Sequence, residues 1–145
     1  MHTDRQDARF RGDRAGVRAL ALAGLLLAIA TVCGALGSHA LKSQLSSERL
    51  QLWDTAVRYQ FFQALGLLGV GVTQRFLEGG AGVARTRAVA AAAVLLVIGI
   101  VLFSGSLYAL ALGAPRAVGA LTPIGGLAWM AAWLLFAFGV WRAAA

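Results

Sequence analysis

The sequence predicts an all-α integral membrane protein: a four-helix bundle with a short interfacial amphipathic helix between spans 1 and 2. Three observations lead there. The chain of 145 residues is 59% hydrophobic and only 13% charged, against roughly 25% charged in a soluble domain. Its charged residues collect in short segments between long apolar runs. Each run, with its flanks, reaches the roughly 20 helical residues that cross a hydrocarbon core about 30 Å thick.

Residues 1–16, MHTDRQDARFRGDRAG, mix both signs of charge without periodicity and read as a mobile tail that includes His2. Residues 17–142 make up the transmembrane domain. The first span covers about 17–37, uncharged from Ala19 to Gly37. A cleaved signal peptide competes for this stretch, with Ser38 and Ala40 near a possible cut. A signal-peptide core runs roughly 7 to 15 residues, and this one is longer, so a retained helix is expected. Cys33 is the only cysteine. It has no disulfide partner in the chain and reads as a small packed residue.

After the first span, Ser46 or Ser47 is placed to cap a helix starting near Glu48. Leu50, Trp53, Val57 and Phe61 then repeat at spacings of three and four, an apolar stripe on one helix face. Asp54 and Arg58 stand in the favourable acid-before-base order at i, i+4. Trp53 and Tyr59 are rings suited to the headgroup level. The stretch is expected to lie at the interface and then turn inward into the second span, about 59–77. That span reaches full length only with its flanks, with Arg58 and Arg75 reaching towards opposite surfaces. EGGAGVARTR, residues 78–87, reads as a glycine-rich loop.

The third span, about 88–112, and the fourth, about 121–141, carry no charged residue. GAPR at 113–116 is a turn signal between them. Pro123 in TPIGG removes a backbone donor, so the regular fourth helix is expected at or just after it. Short connections give an up-down-up-down order. Gly69 with Thr73, and Gly105 with Ala109, are small-residue pairs at the spacing of close helix contacts. With four spans, nine of the thirteen lysines and arginines share a side with both termini and four lie on the other. The positive-inside rule then puts both termini in the cytoplasm. The net charge of +7 is explained by this distribution and by anionic lipid, so no nucleic-acid partner is expected.

Four stretches in order, GALGSHALK, LWDTAVRYQFFQALGLL, FSGSLYALAL and LTPIGGLAWMAAW, make the chain resemble the small membrane family called domain of unknown function 423, whose animal members are named transmembrane protein 256. The resemblance covers roughly Gly34 to Trp133. It implies a small four-span membrane protein and supplies no reaction, substrate or cofactor. Family members often carry histidine after YQxx, where this chain has Gln63.

One constellation of polar residues is expected at the outward end of the bundle. It comprises His39, Lys42, Trp53, Asp54, Arg58, Tyr59, Gln60, Gln63, Ser104, Ser106, Tyr108 and Thr122. Polar groups in lipid turn inward and bond to one another. Three roles fit them: bonds between helices, a pocket for a lipid headgroup, or a path for protons or solutes. His39 taken by itself reads as an interfacial residue, and the chemistry of imidazole leaves a sensing role open. Trp129 and Trp133 read as packing or lipid-facing bulk.

Two histidines and one thiol supply no metal or haem ligand set, so no metal and no cofactor is expected. Asp4, Asp7 and Asp13 lie in the tail and Glu48, Asp54 and Glu78 outside the spans, so no carboxylate relay is expected. The sequence thus points to a non-enzymatic protein of a bacterial inner (plasma) membrane. A scaffold or interaction subunit, or a binder of lipid or another small amphiphile, is the first expectation. Its partners would be membrane lipids, a protein partner or further copies of itself. A small transporter or channel component acting as an oligomer is the alternative. An enzyme using His39, Asp54 and Arg58 on lipid comes last.

Overall fold

The computed structural model describes residues 3–78 and 83–144, with side chains for residues 15–77 and 87–141. His2 and residues 79–82 of the expected glycine-rich loop lie outside the described residues. Five α-helices follow in order: α1 (Thr3–Ser38), α2 (Ser47–Glu78), α3 (Val83–Gly99), α4 (Gly105–Ala111) and α5 (Leu121–Ala144). A π-helical turn, Ile100–Ser104, joins α3 to α4 in one rod, and a 3₁₀ turn, Arg116–Ala120, leads into α5. Among the described residues all regular structure is helical.

Among the described residues, three segments are long and apolar enough to cross a membrane: Ala15–Ser38, Arg87–Ala111 and Arg116–Trp141. α2 is not among them, because Arg58, Gln60, Gln63, Gln74 and Arg75 divide its apolar run. Two expectations change here. No break separates an interfacial helix from a second span, since Ser47–Glu78 is one continuous helix. Likewise α1 runs from Thr3 with no boundary at residue 16. In both cases a helix already nucleated extends at little cost per residue. α3 also begins at Val83, so Arg85 and Arg87 belong to a helix and not to a loop.

α2 keeps one face inward along most of its length. Trp53, Gln60, Leu67 and Gln74 are all buried, and they recur every seven residues, the period of a helix seam. α1 packs along α2, which also contacts α3 and α4, and α5 packs on α3. The core joins Ala19 and Ala23 of α1, Leu67 and Val70 of α2, Val89, Ala93 and Leu96 of α3, and Trp129 and Ala132 of α5. Alanine dominates because small side chains let helix backbones approach where lipid tails give no hydrophobic drive.

The molecule is inverted relative to a water-soluble bundle. Leu25, Val32, Phe62, Phe76, Val101, Leu127, Leu134 and Trp141 face outward, while Gln60, Gln74, Ser104 and Ser106 are buried. Such an apolar exterior suits a hydrocarbon solvent.

The turns follow local chemistry. Ser46 Oγ accepts from the Arg49 N–H at 3.4 Å and caps α2, as expected. At the end of α4 the Gly113 N–H donates to Leu110 O (3.0 Å) and the Ala114 N–H to Ala109 O (2.9 Å). These are the paired bonds of a Schellman motif. Gly113 takes φ +100°, a conformation open to glycine, and Pro115 prevents the helix from resuming. Pro123 falls in the first turn of α5, where its missing N–H leaves no helix bond unmade. TPIGG therefore starts a helix.

Candidate functional site

Several polar side chains form bonds between helices. From α2, Trp53 Nε1 donates to the Cys33 carbonyl of α1 at 2.8 Å, and Gln60 Nε2 donates to the Leu26 carbonyl at 2.9 Å. Gln60 Oε1 accepts from the Tyr108 hydroxyl of α4 at 3.1 Å. The Cys33 thiol lies close to that hydroxyl, and the Trp53 and Tyr108 rings meet at 4.6 Å between centroids. Ser106 donates to Phe103 O at 2.9 Å, and its hydroxyl and that of Thr122 in α5 share a bond of 2.7 Å. Further along α5, Trp133 Nε1 donates to Gln63 Oε1 at 3.1 Å, and Trp129 Nε1 donates to the Leu96 carbonyl of α3 at 3.2 Å.

Three of these bonds end on a backbone carbonyl within a neighbouring helix. A carbonyl has two lone pairs, so one remains after the helix bond is made. The side chain three or four residues later normally covers that carbonyl, because helical side chains lean towards the N-terminus. Here Gly37 follows Cys33, Ala30 follows Leu26 and Gly99 follows Leu96. A Cβ on Gly37 would stand 2.8 Å from Trp53 Cδ1, and one on Gly99 would overlap the Trp129 ring. Small residues thus open helix carbonyls to indole and amide donors.

Other glycines behave differently from expectation. A Cβ at Gly69 or Gly105 would meet nothing within 4 Å. The Gly69–Thr73 and Gly105–Ala109 pairs are therefore not tight helix contacts. Gly66, which faces Trp133, and Gly71, which faces Leu20, are the close approaches on α2.

Not all twelve expected residues come together. Trp53, Gln60, Gln63, Ser106, Tyr108 and Thr122 join the bonds above. Tyr59 is 40% exposed and stacks on Trp129 at 5.8 Å, with Phe103 at 4.9 Å. His39, Lys42, Asp54 and Arg58 are exposed. Asp54 and Arg58 make no ion pair among the described residues. Ser104 and Tyr108, one turn apart, do not bond to each other. Tyr108 turns to Gln60, and the fully buried Ser104 Oγ has no partner among the described residues.

A second feature went unread in the sequence. An open notch of about 450 Å³ lies where the start of α2 meets the α4–α5 turn. It is lined by Glu48, Arg49, Leu52, Leu110, Gly113, Ala114 and Arg116. The GAPR turn signal marked one wall. Nothing in the sequence linked it to Arg49. The bond from Trp129 is likewise invisible in the sequence, since its acceptor is a backbone carbonyl.

Residues 33–126 match the family model described as a protein of unknown function (DUF423). The chain belongs to the DUF423 family. It is 39% identical to the UPF0382 membrane protein SSP2132 of Staphylococcus saprophyticus over 119 residues, covering 81% of this chain and 89% of the relative. It is 38% identical to the UPF0382 membrane protein YwdK of Bacillus subtilis over 107 residues, 74% and 82% of the two chains. It is 34% identical to the UPF0382 inner membrane protein YgdD of Escherichia coli K12 over 113 residues, 75% and 78%. No solved structure matches the chain. The DUF423 segment includes Cys33, Gly37, Trp53, Gln60, Tyr108 and Thr122, as well as both arginines of the notch, and it ends before Trp129 and Trp133. This DUF423 chain is thus a membrane protein of a family whose molecular activity is unknown, and its relatives' names carry no enzymatic term.

Proposed function

We propose that the chain is a non-catalytic protein of the bacterial inner membrane that crosses the bilayer four times and acts as a scaffold or interaction subunit. One observation carries this reading. Among the described residues the buried polar side chains are Gln60, Gln74, Ser104 and Ser106, all uncharged. Gln60 and Ser106, with Trp53, Tyr108 and Thr122, hold one helix to the next. Side chains engaged in this way keep a bundle together. A proton or ion path needs ionisable groups or coordinating oxygens in the interior.

α2 supports a fourth crossing. Its 32 residues reach about 48 Å at roughly 1.5 Å per residue, beyond a hydrocarbon core of about 30 Å. The amides of Gln60 and Gln63 bond to neighbouring helices, which lowers the cost of placing them at membrane depth. With four crossings, the excess of arginine at the two termini and at the α2–α3 connection favours a cytoplasmic location for both ends.

The test is gentle extraction of the full chain from native membranes, followed by mass spectrometry of what comes with it. A stoichiometric protein partner, a second copy or tightly held lipid is expected. A clean, lipid-free monomer overturns the reading. Solute flux that scales with reconstituted protein would move the assignment to a transporter or channel component.

A further inference from the structure

We propose that the notch between the start of α2 and the α4–α5 turn binds the phosphodiester headgroup of a membrane phospholipid, with the phosphate on Arg49 and Arg116. The inference rests on the four-span reading and adds a site to it.

Arg49 and Arg116 both line the notch. Neither guanidinium has a hydrogen-bond or ion-pair partner among the described residues. Two unengaged guanidinium groups lining one notch offer a phosphate the paired N–H donors that it binds best. Arg49 lies in the first turn of α2, and the positive end of the helix adds to the attraction for an anion.

Depth favours a lipid as the source of that phosphate. The notch sits where the apolar segment Arg87–Ala111 ends and the segment Arg116–Trp141 begins. Its remaining wall includes Leu52 and Leu110, and Leu112 beside it is 62% exposed. Charged groups beside exposed hydrocarbon, at the ends of two apolar segments, suit a phospholipid at the edge of the bilayer.

Gly113 is part of the lining, and its φ of +100° turns the chain sharply there. The Arg49 head packs beside that turn, with both terminal nitrogens 3.8 Å from where a Cβ on Gly113 would stand. Glu48 lines the same notch, so the lining carries one carboxylate against two guanidinium groups. An ethanolamine headgroup, with an ammonium beside its phosphate, fits both signs. A glycerol headgroup fits only the arginines.

The experiment uses the full chain purified in mild detergent. Native mass spectrometry follows the retention of added phosphatidylethanolamine, phosphatidylglycerol and inorganic phosphate. Thermal melting by circular dichroism confirms that each variant is folded. Arg49→Gln and Arg116→Gln should each weaken lipid retention about tenfold, the worth of one charge-assisted hydrogen bond, with melting unchanged. Arg49→Lys with Arg116→Lys keeps the charge, loses the forks and should retain lipid to an intermediate degree. Glu48→Gln should abolish the preference for ethanolamine over glycerol lipid while phosphate recognition survives. A folded double glutamine variant that holds lipid like the parent overturns the site. Displacement of lipid by equimolar inorganic phosphate makes it a site for a soluble anion and overturns the lipid assignment. Cysteine labelling that puts residues 42 and 114 on opposite faces of the membrane overturns the four-span reading together with the site.

Discussion

The indole of Trp53 rests on the bare backbone of Gly37: a Cβ at that glycine would stand 2.8 Å from Cδ1 and 3.0 Å from Nε1. The same indole donates to the Cys33 carbonyl one turn earlier. Absence of a side chain on α1 thus creates the acceptor for α2. Gly37→Ala should displace the ring and cost about 1–3 kcal/mol, as overpacked sites do. Reversible unfolding in mixed micelles measures it. In a Trp53→Leu background the same glycine change should cost much less. Equal costs in the two backgrounds would show that Gly37 is small for some other reason.

Gln60 links three helices, through Leu26 O in α1 and the Tyr108 hydroxyl in α4. Gln60→Leu removes both bonds and Tyr108→Phe only one, so the glutamine change should be the more destabilising. A double-mutant cycle between them should return a coupling of about 0.6 kcal/mol, the average for such bonds in a membrane. Zero coupling would mean that the 3.1 Å contact contributes nothing to stability.

Ser104 and Ser106 are both buried, at 0% and 3% exposure, and they predict opposite outcomes. Ser106 bonds to Thr122 and to Phe103 O, so Ser106→Ala should destabilise. Ser104 Oγ has no partner among the described residues, and a buried, unbonded hydroxyl costs about 1–3 kcal/mol of desolvation. Ser104→Ala should therefore be neutral or stabilising in the same unfolding assay. A large loss on Ser104→Ala would reveal a bond to a group other than the described residues.

Topology is tested with single cysteines introduced at Lys42, Ala114 and Arg85 in a Cys33→Ala background. In intact cells an impermeant maleimide should label residues 42 and 114 and spare residue 85. Labelling of 85 alone would invert the orientation. Labelling of 42 without 114 would remove one crossing.

The uncharged runs, a cap at Ser46 or Ser47 and the turn at Gly113–Pro115 were legible in the sequence because each depends on residues close together in the chain. A run of about 20 apolar residues is a span wherever it lies. A glycine followed closely by proline ends a helix whatever surrounds it. The partners of the polar side chains were not legible. Trp53, Gln60 and Trp129 reach backbone carbonyls, which every residue possesses, so the sequence marks the donor and never the acceptor. The π-helical turn at Ile100–Ser104 also shifts the wheel between α3 and α4, and a wheel continued from α3 does not place Ser104, Ser106 and Tyr108. Arg49 and Arg116 lie far apart in the chain and share a notch only because α4 ends beside the start of α2. Composition determined that the chain lives in lipid. Tertiary packing decided which polar groups hold the helices together and which charges were left open at the surface, because that depends on which helix faces meet.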